Sequence, residues 1–454
     1  VVAGTHSGVG KTTVATGLMA AFRATGLQVA SAKVGPDFID PGYHSLATGR
    51  PPRNLDAWIS GEDNLAALAA RAGRDADLLV IEGVMGLFDG AGPGEEASTA
   101  ALALALEAPV VLVVDASALS GSVAAMVHGF HTLHPRLRLS GVILNRVGSP
   151  GHDELLRAAL APLGLPVLGS LPRDERLVWR DRHLGLVPVI EHPAEVRRSL
   201  DRLAQAVAHH LDLPGLLALA RRAPKRPAPP LPETRPQGRA VVAVLSGPAF
   251  SFTYQDNLER LQEAGADLVP LDPLTDPALP PDATGLLAGG GFPEVHVAAL
   301  AENRSLLADV ARRGPDLVIW AECGGLLWLS EELDGQRLVG LLPARGFLTS
   351  QLTLGYRQAR TRRSTPLGPP GTVLRGHEFH YSQLHPPGDV LELSGRSGTR
   401  RDGFGGPRLL ASYLHLHLGA HPLPAERFVA ACAQTAAGQP PAGGSLPGRS
   451  SQLP

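Results

Sequence analysis

The sequence predicts an α/β protein of two domains, each built from a sheet layered with helices. Three observations carry this. Through about residue 215, short apolar runs alternate with helix-like stretches. The stretch 221–239, RRAPKRPAPPLPETRPQGR, then breaks the pattern with proline and basic residues and no apolar period, as an exposed linker does. A second alternation opens at Ala240 with AVVAVL and ends near Gly438. The expected division is 1–220 and 240–438 for the domains, 221–239 for the linker, and a Gly-, Ser- and Pro-rich, disordered tail over 439–454.

In the first domain, Leu78–Glu82, Val110–Asp115 and 141–145 are rich in Val, Ile and Leu and end on polar residues. Runs apolar on both faces suit strands of a parallel sheet. Helix-like stretches at 12–25 and 64–71 lie between such runs. That order places a site at the C-terminal ends of the strands.

A length of 454 residues suits two cores, and 44% hydrophobic with 19% charged residues reads as globular. A net charge of −2 argues against nucleic acid as the partner. Cys323 and Cys432 match no zinc spacing and make no disulfide framework, which favours a reduced, cytoplasmic compartment. The apolar segment 100–114 is short and broken by Glu107, so no membrane span is expected. Val1 already reads as the inside of a strand, so the chain is expected to begin upstream of it.

Near the N-terminus stands Gly4-Thr-His-Ser-Gly-Val-Gly-Lys-Thr-Thr13, after a strand stub and before a helix. Glycines let backbone N–H groups curl around an anion, and the helix adds its positive end. Thr5, Ser7, Gly8, Val9, Gly10, Lys11, Thr12 and Thr13 are therefore the expected ATP-binding residues. In this reading Lys11 reaches the β/γ-phosphates and the Thr12 hydroxyl holds Mg²⁺. Gly4 sits one place early and Thr5 occupies the usual first glycine position. The alternative is a Gly-rich turn that binds nothing. A metal-bound triphosphate needs carboxylates nearby. Asp37 and Asp40 follow the strand at 29–32, and Glu82 ends a strand seven residues before Asp89. The metal set is thus Thr12, Asp37, Asp40 and Glu82, with Lys33 added to the ATP set. Asp37 and Asp40 can also be read as turn caps beside Pro36 and Pro41. Asn145 and Arg146, at a later strand end, are candidates to touch the adenine.

In the second domain, a buried-strand pattern over 316–320 runs into Ala321-Glu-Cys323-Gly-Gly325 and then a helix. This places Cys323 at an exposed elbow by a helix N-terminus, which lowers a thiol's pKa. A cysteine nucleophile needs a base and an oxyanion hole. The N–H groups of Gly290, Gly291 and Gly324 are the expected hole, and His415 or His417 the base. Alternation puts both histidines on one face. Cys432 reads as a small core residue.

The order of glycine turn, cysteine elbow and late histidine resembles the class I glutamine amidotransferases. The first domain resembles the dethiobiotin-synthetase group of P-loop ATPases. Joined, and with the segments AGTHSGVGKTT, KVGPDFIDPGYH, NLDAW, IEGVMGLFDG, GGGFPE, ECGG, GHEFHYS and ASYLHLH in order, the chain resembles the cobyrinic acid a,c-diamide synthase family of corrinoid biosynthesis over about 1–435. The resemblance implies a carbon–nitrogen ligase that uses ATP, Mg²⁺ and L-glutamine to amidate cobyrinate or hydrogenobyrinate through acyl phosphates, with Asp37, Asp40 and Asp89 in the substrate region. It makes Cys323 the nucleophile and His415 the base. The glutamate expected two places after the base is replaced by His417, which leaves a Cys–His dyad. Rival readings are a sister tetrapyrrole amidotransferase (cobyric acid synthase or Ni-sirohydrochlorin a,c-diamide synthase), a P-loop regulatory ATPase, and an ATP-gated binding module with a dead glutaminase half. The sequence leaves the oligomeric state open, a homodimer among the options.

Overall fold

The computed structural model describes residues 1–92, 94–177, 181–182, 185–186, 193–224, 228–396 and 398–438. The expected tail, 439–454, and residues 225–227 of the expected linker lie outside these. The chain divides into two compact units, Val1–Leu231 and Pro232–Pro454.

In the first unit, β1 (Val2–Gly4), β2 (Val29–Val34), β3 (Asn54–Leu55), β4 (Leu78–Glu82), β5 (Val110–Asp115), β6 (Leu139–Val147) and β7 (Val167–Pro172) form one sheet in the order β3-β2-β4-β1-β5-β6-β7. Every pairing in it is parallel. Strands β1 and β2 are buried along their whole length, which is why they carry apolar or small residues on both faces, apart from the ion-paired Lys33 near the end of β2. One face is covered by α1 (Lys11–Ala24) and the helix Pro193–His210, through Val14, Leu18 and Phe22 against Leu200, Leu203 and Val207. Ala100, Ala103, Val123, Val127 and Leu156 cover the other face. The apolar segment 100–114 resolves into the helix Thr99–Ala105 and β5, with Glu107 in the turn between them at φ 48°. The loops after β1, β2 and β4 therefore meet at one edge of the sheet, where the strand order reverses.

The second unit has a sheet in the order Ala266–Leu271, Ala240–Leu245, Ala283–Ala288, Val318–Glu322, Leu409–Ser412 and Phe404–Gly406. Its pairings are parallel except at the last edge. A second sheet is built on the antiparallel pair Leu342–Thr361 and Val373–His385. The two-residue strand His415–Leu416 joins it, pairing with Gly376 and His377. Among the described residues, no helix is long and apolar enough to cross a membrane.

Candidate functional site

The phosphate loop connects β1 to α1. Gly10 caps α1 in a left-handed conformation, φ 96°, and no side chain hydrogen-bonds to the helix start. The first turn also lacks an acidic residue. Its N–H groups therefore have no side-chain partner, the situation that favours a bound anion. Lys11 Nζ arches back to the His6 carbonyl at 3.1 Å. Burial, helped by the nearby Lys33 ammonium, pulls Lys11 down to about 8. Ser7 and Gly8 lie on the exposed side of the loop, whereas the Val9 side chain is buried in the core. Thr5 Oγ1 is 3.0 Å from His6 Nδ1. Thr13 is half-buried beside Thr12 in the first turn of α1. Asn145 donates to the Val9 carbonyl at 2.8 Å and so braces the loop from behind. Arg146 is paired with Asp115.

Thr12 Oγ1 lies 2.7 Å from Glu82 Oε1 and 3.2 Å from Asp40 Oδ2. Lys33 Nζ bridges the same two carboxylates, at 2.8 Å from Glu82 and 2.7 Å from Asp40. It also donates to the Gly83 carbonyl at 3.0 Å. Burial disfavours the Lys33 ammonium, but Asp40 and Glu82 outweigh it and hold its pKa above the ordinary lysine value. Burial likewise pushes Glu82 up, and Lys33 and the His44 ring more than reverse this, so Glu82 is a carboxylate. His44, fully buried on α2 (Asp40–Thr48), sits with Nε2 2.6 Å from Glu82 Oε2. Asn54 donates to the carbonyls of Gly35 and Asp37, at 2.9 and 2.7 Å, and ties down the loop after β2. The pattern reading did not single out His44 or Asn54. Their only signal was membership of the segments GPDFIDPGYH and NLDAW.

Asp37 and Asp89 border this cluster and hydrogen-bond to backbone N–H groups. Asp37 Oδ1 accepts from the N–H groups of Ile39 and Asp40, at 2.7 and 3.2 Å, and Asp89 Oδ2 accepts from Gly86 N–H at 2.8 Å. Both therefore shape turns. Among the described residues, no three His, Cys, Asp or Glu side chains form a group able to hold a metal by themselves. The Thr12 hydroxyl with the Asp40 and Glu82 oxygens is a hard-oxygen set that suits Mg²⁺, which takes its other ligands from phosphate and water.

In the second unit, strand Val318–Glu322 delivers Cys323, whose φ of 47° and ψ of −100° turn the chain sharply into helix Gly324–Leu329. Gly325 is needed here, since a β-carbon would fall 2.0 Å from the Ala288 carbonyl oxygen. One expectation is corrected: Cys323 is only 6% exposed, and its helix is six residues long. Burial, with the Glu294 carboxylate adding to it, pushes the thiol far above its ordinary value, and the Gly324 N–H opposes this without prevailing. A helix this short has a weak dipole. Gly290, Gly291 and Gly324 do come together. A β-carbon on Gly324 would stand 3.0 Å from the Gly291 nitrogen, and one on Gly290 would stand 2.5 Å from His415 Cε1.

The two histidines do not share one setting, because the strand carrying them ends at Leu416. The His415 ring stacks on His377, centroids 5.0 Å apart, and its Nδ1 lies 3.4 Å from Glu322 Oε2. His417 packs edge-on to Tyr254, centroids 4.9 Å apart, with Nε2 3.5 Å from Asp256 Oδ2. Tyr254 OH in turn meets His377 Nε2 at 2.9 Å. Cys432 is fully buried in the core, as expected.

Comparison with known proteins places these sites in context. Residues 1–186 match the CobQ/CobB/MinD/ParA nucleotide binding domain, and residues 241–423 match the CobB/CobQ-like glutamine amidotransferase domain. The chain is 46% identical to the hydrogenobyrinate a,c-diamide synthase of Streptomyces coelicolor, over 95% of this chain and 97% of that one. It is 43% identical to the cobyrinate a,c-diamide synthase of Syntrophotalea carbinolica, over 95% of this chain and 98% of that one. With a nucleotide-binding unit followed by a glutamine amidotransferase unit, and with this likeness along nearly its whole length, the chain belongs to the glutamine-dependent a,c-diamide synthase family.

Proposed function

We propose that the chain converts the a and c side-chain carboxylates of cobyrinate or hydrogenobyrinate into carboxamides, with ATP as co-substrate and ammonia drawn from glutamine. The observation that most supports this is the convergence of Thr12, Lys33, Asp40 and Glu82 beside an uncapped helix start. Lys11 would leave the His6 carbonyl for the terminal phosphates, and Thr12, Asp40 and Glu82 would hold Mg²⁺. The metal, when bound, offsets charge on the triphosphate. Lys33 and His44 hold Glu82 as a carboxylate, Lys33 bridges it to Asp40, and Asn145 holds the loop in shape. Asp37 and Asp89 shape the turns that face the substrate carboxylate. That carboxylate takes the terminal phosphoryl group, and ammonia then displaces phosphate from the acyl phosphate. In the second unit, Cys323 is the nucleophile, His415 the base, and the Gly290, Gly291 and Gly324 N–H groups the oxyanion hole.

The test is an assay of purified protein with ATP, Mg²⁺, glutamine and separate tetrapyrroles, with products read by mass spectrometry. Diamide formation on cobyrinate or hydrogenobyrinate is the expected result. Amidation only of a later, already diamidated corrinoid, or of a nickel tetrapyrrole, would transfer the chain to a sister activity.

A further inference from the structure

We propose that Glu322, the residue immediately before the cysteine, is the acid that positions His415, so that the glutaminase half works as a triad whose acid and nucleophile are sequence neighbours. The proposal rests on the reading of Cys323 as nucleophile and His415 as base. Class I glutaminases are expected to place a glutamate two residues after the base, and this chain has His417 there.

Glu322 ends the strand that delivers Cys323 and is buried, 4% exposed. A buried carboxylate needs partners to persist. One oxygen, Oε1, accepts the Leu416 N–H at 3.0 Å. That bond leaves the other oxygen, Oε2, 3.4 Å from His415 Nδ1, at ion-pair distance. Three elements hold the imidazole ring in place. His377 stacks on its face with planes 20° apart, the Gly290 turn abuts its Cε1 edge, and the backbone of residue 415 is paired with that of residue 377. With a carboxylate beside Nδ1, an imidazole that carries its proton on Nδ1 leaves Nε2 as the proton acceptor.

The steps then balance. The Cys323 thiol proton passes to His415 Nε2 while the sulfur electron pair forms a bond to the side-chain amide carbon of glutamine. The carbon–nitrogen bond breaks, the proton on Nε2 goes to the departing nitrogen, and ammonia leaves. Water adds to the thioester with His415 as base, the carbon–sulfur bond breaks, and the proton returns to sulfur as glutamate forms. Glu322 takes no proton. It stabilises the imidazolium that forms in each half.

The rival acid is Asp256, beside His417 on the far side of Tyr254. His377 is a poor base, since its Nε2 already meets Tyr254 OH and burial keeps its ring neutral.

The experiment compares Glu322→Gln, Glu322→Asp and Asp256→Asn in the full chain. Glutaminase kcat and KM are measured against pH, and ammonia-dependent synthesis serves as the folding control. Glu322→Gln keeps an oxygen for Leu416 but loses the charge. Its kcat should fall on the order of 10²- to 10⁴-fold with KM for glutamine little changed. The acid limb of kcat/KM should move to lower pH, because the imidazolium loses the carboxylate that faces it. The neighbouring groups stay in place: His377 stacked on the ring, and His417 beyond it with Tyr254 and Asp256. Glu322→Asp keeps the charge, so its limb should stay put with a smaller rate loss. Adding Glu322→Gln to His415→Ala should cost little more than His415→Ala alone. An unmoved limb in Glu322→Gln, or a limb moved by Asp256→Asn in its place, overturns the proposal. A rate loss shared with ammonia-dependent synthesis also overturns it, since that marks a structural role. Full glutaminase activity in Cys323→Ala would overturn the underlying dyad as well, and that outcome is read independently of Glu322.

Discussion

Cys323 is a β-substituted residue held at φ 47°, a backbone state that costs roughly 1–3 kcal/mol and persists where surrounding structure enforces it. The glycines after it and the strand before it made this turn legible from sequence. Its burial was not legible, because the Gly290–Gly291 turn that packs beside it comes from a distant part of the chain. The same limit hid Glu322 and His44. A glutamate before a cysteine and a histidine within a helix carry no pattern until the fold supplies their partners. The burial has a measurable consequence. A thiol whose pKa is raised above the ordinary value of about 8.5 is less ionised than free cysteine at every pH up to its own pKa. Alkylation of resting Cys323 by iodoacetamide should therefore be slower than that of free cysteine at pH 8. It should also keep rising with pH where the free thiol has levelled off. A plateau near pH 8 would show that the thiolate is already formed in the resting protein.

At the scale of elements, the parallel strands were the most readable feature. Strands Leu78–Glu82, Val110–Asp115 and Ala240–Leu245 have the bounds that their apolar runs suggested. The second sheet was not readable. Leu342–Thr361 is exposed along much of its length and carries Arg, Gln and Thr, so no continuous apolar run marks it. Yet this hairpin presents His377 to His415. Close approach between elements also sets a sharp requirement at Gly290. Its β-carbon would sit 2.5 Å from His415 Cε1, well inside contact distance. Gly290→Ala should push the imidazole aside and lower glutaminase kcat at least tenfold while sparing synthesis from ammonia. Gly121→Ala, where a β-carbon meets nothing within 4 Å, is the control and should leave both activities unchanged. Equal loss of both activities in Gly290→Ala would mean that the turn supports the whole unit rather than the imidazole.

At the scale of the whole molecule, the proposed chemistry divides between two units that are each compact, Val1–Leu231 and Pro232–Pro454. Separate cores allow a lesion in one site to leave the other chemistry standing, and a pair of substitutions tests this. Cys323→Ala removes the sulfur on which a thioester forms, so glutamine-dependent synthesis should disappear. Acyl-phosphate chemistry needs only the first unit, so synthesis from concentrated ammonia should survive. Lys11→Ala should give a different outcome. It removes the cation proposed to meet the terminal phosphates, and both nitrogen sources should fail together. The fold should survive, because among the described residues the Lys11 ammonium donates only to the His6 carbonyl, at 3.1 Å. Thermal unfolding of each variant checks that point. If folded Cys323→Ala loses ammonia-dependent synthesis, the division of labour fails, and the second unit must also act in the ligase step. If folded Lys11→Ala keeps full synthesis with either nitrogen source, the loop between β1 and α1 is not where the triphosphate is activated. His417→Ala completes the set. A loss of glutaminase greater than that of His415→Ala would move the base to the pair made with Asp256, and the triad with it.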